Sequence, residues 1–319
     1  MKKILCVLMS CLLFVMAGCS GHSKNLKFGA ADIGGVYYSF ASTFTQLADN
    51  EIDGYTFETK TTAGSVANLR LISDGYIDLA IVQADLLSDA YNATGTFADK
   101  KYQKGYKAVA SLYIECCQIV VRKDSGITGI DDLINKTVSV GASESGTEKN
   151  AEQILKMSGI TDELINKVNM DYTEAAEKLK AGEIDAFFCT AGTRTEVIGQ
   201  LSKECDIRFI SLDDKCIDKM LSAYSLCEKY TIPAGTYNGQ DSDVTTIGVK
   251  AVLIAKQSLS DDVIKNVTKT IYEHADDFKY ATSLDISFDI NTAADGVDIP
   301  FHSGAAAYYT ERGINVLTE

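Results

Sequence analysis

Two short segments, Asp32-Ile33-Gly34-Gly35-Val36-Tyr37-Tyr38 and Ser143-Glu144-Ser145-Gly146-Thr147, set small and hydroxyl-bearing residues directly before a stretch of helical periodicity. Glycine lets a ligand approach the backbone closely, and the first N–H groups of a helix have no partner inside it. Such a loop suits an anion, a carboxylate above all. Either loop alone reads equally well as a packing turn or a plain N-cap; their pairing makes Gly34, Gly35, Val36, Tyr37, Ser143, Ser145, Gly146 and Thr147 candidate ligand contacts. A third polar loop, Thr61 to Asn68, adds Thr62 and Ser65. Gln83 ends the apolar run Asp78 to Val82, where a buried strand offers its ligand-facing edge, and Thr190 holds the corresponding place later in the chain. Arg194 is the one cation near a predicted strand end, either a bidentate partner for a carboxylate or a surface arginine.

Catalytic chemistry finds little support. Gly141-Ala142-Ser143-Glu144-Ser145-Gly146 resembles a nucleophile elbow only superficially, because position 143 is serine and 147 is threonine. His274 and His302 have no motif tying them to a serine or cysteine. Phosphate-loop, H-E-x-x-H and EF-hand patterns are missing, so no catalytic residue, metal or cofactor is expected. Cys205, Cys216 and Cys227 fall at intervals of eleven but have no histidine beside them, which argues against zinc. Cys116, Cys117 and Cys189 sit in apolar runs as small buried hydrophobes, and these six cysteines permit 15 pairings among which sequence does not choose.

The elements that must position these residues occur twice. Phe28 to Gly35 and Val140 to Thr147 both read strand, glycine loop, helix, at an offset of 112 residues. Ile72 to Val82 and Leu179 to Cys189 both read helix end, glycine, aspartate turn, buried strand, at an offset of 107. Alternating helical and continuous apolar runs predict an α/β fold of two similar lobes, each a mostly parallel sheet covered by helices on both faces. Expected strands include 78–82, 108–112, 118–122, 137–140 and 186–189, and expected helices 36–48, 148–157 and 261–280. The long apolar stretch Ser111 to Val121 carries the chain from one lobe to the other as a hinge strand, and the run from Val244 to Ala255 brings it back. Residues 27–115 and 240–319 then form lobe one and 116–239 lobe two, with two glycine loops facing each other across a cleft.

Lys2 and Lys3, the apolar run Ile4 to Met16 and the sequence Met16-Ala17-Gly18-Cys19 resemble a bacterial lipoprotein signal. Residues 1–18 are thus expected to be a signal peptide, Cys19 the lipidation site and 19–26 a tether, placing the protein outside the cytoplasm and on the membrane only through its lipid. The 319 residues carry a formal net charge of -14, with 44 acidic and 30 basic side chains, a poor match to nucleic acid phosphates. A monomer is expected.

Several motifs together resemble the TAXI family of solute-binding subunits of TRAP-type (tripartite ATP-independent periplasmic) transporters. They are Gly34-Gly35-Val36-Tyr37-Tyr38, Thr62 to Leu71, Asp78 to Asp85, Gly141 to Thr147, Pro233 to Tyr237 and Ile299 to Ala305, spread over nearly the whole mature chain. The resemblance implies a type II periplasmic-binding-protein-like fold that closes on a small acid and hands it to a membrane permease. Asp32 in the first loop favours a ligand that also carries an ammonium. A glutamate-like amino acid is therefore expected first, a dicarboxylate such as 2-oxoglutarate second, and a sensory or structural surface lipoprotein is the alternative from another class.

Overall fold

The computed structural model describes residues 23–99, 105–283 and 288–319. The signal-like segment and Cys19 lie outside the described residues. The chain opens with β1 (Lys24–Gly29), α1 (Val36–Glu51), β2 (Tyr55–Lys60), α2 (Ser65–Ser73), β3 (Leu79–Gln83) and α3 (Ala84–Asn92), followed by the long strand β4 (Tyr106–Arg122). It continues through β5 (Thr137–Ser139), α4 (Gly146–Met157), β6 (Asn166–Val168), α5 (Tyr172–Ala181), β7 (Ala186–Ala191), α6 (Glu196–Glu204), β8 (Ile207–Phe209), α7 (Asp214–Ala223) and β9 (Cys227–Ile232). A second long strand, β10 (Val244–Lys256), leads to α8 (Asp261–Glu273), α9 (Ala275–Thr282) and α10 (Ser303–Thr310). Among the described residues, no helix is long and apolar enough to cross a membrane.

The sheet order is β2-β1-β3-β10-β4-β7-β5-β6, with β8 added on β4 and β9 on β10. Within it one connectivity is used twice. β2, β1 and β3 are parallel, β10 is antiparallel to β3, and β4 follows. Likewise β6, β5 and β7 are parallel, the far end of β4 is antiparallel to β7, and β8 follows. The internal repeat read from the sequence is therefore a repeat of topology. β4 belongs to both halves, pairing β10 through residues 106–116 and β7 through residues 116–121.

Three local expectations differ from the structure. Strands expected at 108–112 and 118–122 are one strand, because the intervening Tyr113 to Cys117 are also paired. β1 begins at Lys24, inside the stretch read as tether, because Lys24 to Leu26 pair in register with Tyr55 to Phe57. The helical run from Asp261 breaks at His274, whose backbone (φ -114, ψ 29) leaves the helical region.

The core follows from the strand period. In β4, Cys117, Ile119 and Val121 face the cluster under α4 and α7, while Cys116 and Val120 face the opposite one. Every residue of β3 is buried, as expected for a strand covered on both faces. The inward face of α1 is anchored by Phe40, which stacks on Phe278 at 4.4 Å, and by Phe44, set between Phe28 and Phe57 at 5.5 and 5.3 Å. Each such buried ring stabilises the fold by roughly 1.5–3 kcal/mol, which fixes where the first turn of α1 points. All six cysteines from Cys116 onward are free thiols.

Candidate functional site

A cavity of about 40 Å³ lies between the two halves of the sheet. It is bounded by the carboxyl ends of β3 (Gln83) and β7 (Thr190, Ala191) and by the first residues of four helices: Val36 and Tyr37 of α1, Ser65 of α2, Gly146 and Thr147 of α4, and Tyr172 of α5. The N-caps of α1 and α2 are Gly35 and Gly64, and neither supplies a side-chain cap. The first turn of α1 thus has no side-chain cap, and in α2 the Ala67 N–H is taken by the Glu144 carbonyl while Ser65 and Val66 precede it without a side-chain cap. The other two helices are capped internally: Ser145 Oγ accepts from the Glu148 N–H at 3.0 Å, and Asp171 from the Glu174 N–H at 2.8 Å. Gly64 holds a φ of +119°, and a Cβ there would stand 3.5 Å from Ser145. At Gly146 a Cβ would overlap the end of the Gln83 side chain, so any larger residue there would have to displace Gln83 from its place beside α4.

The polar walls are mostly hydrogen-bonded among themselves. Tyr172 Oη donates to the Thr190 carbonyl at 2.9 Å, and the Thr190 N–H donates to Thr147 Oγ1 at 3.2 Å. With its only proton used, Tyr172 Oη accepts from Thr147 Oγ1 across 2.6 Å. Tyr37 Oη donates to Glu115 Oε2 at 2.7 Å, and Gln83 Nε2 to Asn150 Oδ1 at 3.0 Å. Gln83 Oε1 and Thr190 Oγ1 are buried without a hydrogen-bond partner. Among the described residues lining the cavity, Asp32, Glu115 and Asp171 are acidic and none is Lys, Arg or His. Glu115 is only 3% exposed, and burial pushes its carboxyl up to about 8 against the hydrogen bonds of Tyr37 and Gln83. Asp32 is raised too, first by burial and then by Asp171, while backbone N–H groups at the start of α5 pull the other way.

Besides the Gln83–Asn150 hydrogen bond, two acidic residues bind the halves across the cavity. Asp32 Oδ2 accepts from the Tyr172 N–H at 3.1 Å. Glu144 forms a bidentate pair with Arg70 at 3.1 and 2.6 Å, and its carbonyl accepts from the Ala67 N–H at 3.0 Å.

The structure brings Gly35, Val36, Tyr37, Ser65, Gln83, Ser145, Gly146, Thr147 and Thr190 together on the cavity wall. It leaves out the other four ligand candidates. Thr62 turns its hydroxyl to the Ala30 carbonyl and Asn68 Oδ1, and Ser143 is exposed. Gly34 and Arg194 border a separate polar hollow with Glu196 and Lys203, since Arg194 sits in a left-handed turn (φ 65°) that carries it past the end of β7. Glu115, Asp171 and Tyr172 were not among the sequence candidates. Glu115 had a signal: it is the one charged residue within the apolar stretch Ser111 to Val121.

Helix starts and strand ends that converge from two like-wound half-sheets define the periplasmic-binding-protein-like fold. Solved structures similar to the chain have this fold. PhnD1 from Prochlorococcus marinus in complex with methylphosphonate is 12% identical over 83% of this chain and 93% of that one, with a TM-score of 0.58. A putative L-cystine ABC transporter from Listeria monocytogenes is 14% identical over 82% and 94%, with a TM-score of 0.52. An ancestral arginine-binding protein bound to arginine is 15% identical over 82% and 98%, at 0.50. The chain belongs to the NMT1-like family, which it matches over residues 28–313.

Proposed function

We propose that the chain is an extracytoplasmic solute-binding protein, held to the membrane by a lipid on Cys19, that captures a small amino acid between two lobes and delivers it to a membrane permease. The observation that carries this is the cavity itself. The starts of α1 and α2, which have no side-chain cap, suit a carboxylate without needing a basic side chain, and the halves meet across the cavity through Asp32 and Glu144. The lobes are taken as residues 27–115 with 240–319, and 116–239. A glutamate-like amino acid is the first ligand to test. A dicarboxylate is the weaker candidate, because three acidic side chains and, among the described residues, no Lys, Arg or His line the space. The motif resemblance to TAXI proteins favours a TRAP-type permease; the ABC-transporter neighbour favours an ABC-type permease as the second reading. No catalytic role is assigned.

A thermal-shift panel of amino acids, 2-oxo acids and dicarboxylates tests the proposal. A solute that binds only the folded state at about 100 times its Kd adds about 2.7 kcal/mol, a clear rise in melting temperature. A panel with no stabilising compound would contradict it.

A further inference from the structure

We propose that Glu115 is the specificity-determining residue of this cavity: with Gln83 Oε1 it forms the acceptor site for a ligand ammonium, so that amino acids bind and their 2-oxo and 2-hydroxy counterparts do not. This rests on the solute-binding function proposed above and adds the group that reads the ligand's amine.

The geometry favours Glu115 over the other two acids at the wall. Each acid accepts a hydrogen bond, Asp32 from the Tyr172 N–H, Asp171 from the Glu174 N–H and Glu115 from Tyr37, but Asp32 is only half-buried and Asp171 exposed, whereas Glu115 is buried. Glu115 accepts from Tyr37 Oη at Oε2, with the Gln83 side chain as its other neighbour, and lies in the middle of the strand shared by both halves. Gln83 spends its amide nitrogen on Asn150 and leaves Oε1 buried, unpartnered and at the cavity wall. An ammonium has three protons and no acceptor, so it can donate to the Glu115 carboxylate and to Gln83 Oε1; a keto oxygen can take the proton of neutral Glu115 but leaves Gln83 Oε1 without a donor. Burying a carboxylate in a strand core is costly unless something pairs with it, and nothing basic lines this cavity among the described residues.

The charge state of the ligand-free protein agrees. The titratable groups around Glu115 are Tyr37 from α1, Asp85 from α3, Tyr113 and Cys116 on its own strand, Tyr172 from α5 and Cys189 from β7. The tyrosines and cysteines are all raised by burial and stay neutral, and Asp85 adds only repulsion. Near neutral pH the ligand-free protein therefore holds Glu115 protonated, its carboxyl pushed up to about 8 by burial. An arriving ammonium favours the carboxylate, and the Glu115 proton leaves to the buffer.

The test is calorimetric titration of wild type and Glu115→Gln with matched sets: an amino acid, its 2-oxo acid and its 2-hydroxy acid, for example glutamate, 2-oxoglutarate and 2-hydroxyglutarate. Each titration is run at pH 7 in two buffers of different ionisation enthalpy. Wild type is expected to prefer the amino acid by roughly 100-fold and to release about one proton per ligand, and Glu115→Gln to lose at least about tenfold of that preference and the proton release. The wild-type comparison of ligands stands even if the variant folds poorly. Equal binding of amino and oxo acids, or a variant with unchanged preference and proton release, would overturn the role of Glu115. If no compound of any set binds, solute binding itself fails, a different outcome from binding without amine preference.

Discussion

Asp32 and Glu144 occupy the same position in two copies of one motif, and each fastens its loop to the matching helix of the opposite half. Asp32 reaches the first residue of α5 at 3.1 Å, and Glu144 reaches Arg70 in α2 at 2.6 Å. The offset of 112 that relates the acids and the offset of 107 that relates Ser65 to Tyr172 make these reciprocal contacts of a pseudo-symmetric pair. Both hold the cavity shut.

Arg70→Ala and Glu144→Ala test one of these contacts. The two side chains are each 40% exposed, so the pair contributes only about 0.5–1 kcal/mol, or roughly a two- to fivefold weakening of ligand binding. The double variant should cost no more than the larger single, and the effect should shrink at high salt. Additive losses would show that the two residues act independently.

Asp32→Ala removes the opposite contact and an anion from the start of α5. Ligand affinity should fall roughly tenfold, since about 1 kcal/mol is typical for such a cap and a partly buried site adds to it. Small-angle scattering should show the variant less compact than wild type at equal ligand saturation; identical profiles would place Asp32 outside the closing contacts.

The free protein should lose stability as pH rises through the range where Glu115 titrates. Its folded value of about 8 lies above the ordinary 4.5, so its contribution is full below about pH 4.5 and is lost as pH climbs through 8. The slope from this group is at most about 1.4 kcal/mol per pH unit. Asp85, pushed up to about 6 by burial, slopes the same way at lower pH and is common to both chains. The melting temperature of Glu115→Gln relative to wild type, followed from pH 5 to 9, should therefore rise with pH; a flat difference would show that Glu115 is not buried and neutral.

Phe40→Ala should lower unfolding stability by about 3–5 kcal/mol in urea, because the ring is fully buried against Phe278 and Phe288. A loss below about 1 kcal/mol would mean that α1 is held by other contacts.

The repeat was the legible part of this fold. Gly34 to Tyr38 and Ser145 to Thr147 announced helix starts because glycine and hydroxyl residues before apolar periodicity have few other uses. Gln83 and Thr190 were found from their place at strand ends. Arg194 misled because charge is visible in sequence while the left-handed turn that aims it elsewhere is not. Tyr172 and Asp171 were invisible for a related reason. They reach the cavity only once α5 packs across from Asp32, a contact 140 residues apart in the chain. Glu115 was readable in principle, but a lone acid in an apolar hinge strand gives no hint of what it faces.

Gly146→Ala tests most directly that this cavity is where the solute binds. An added methyl overlaps Gln83 only when α4 lies against β3, whereas alanine is otherwise favourable in a helix. Calorimetric titration of the panel's stabilising solute should give one-to-one binding in wild type and at least about a tenfold weaker affinity in the variant, with a ligand-free melting temperature within a few degrees of wild type. Equal affinity in the two chains would contradict the account and move the binding site elsewhere.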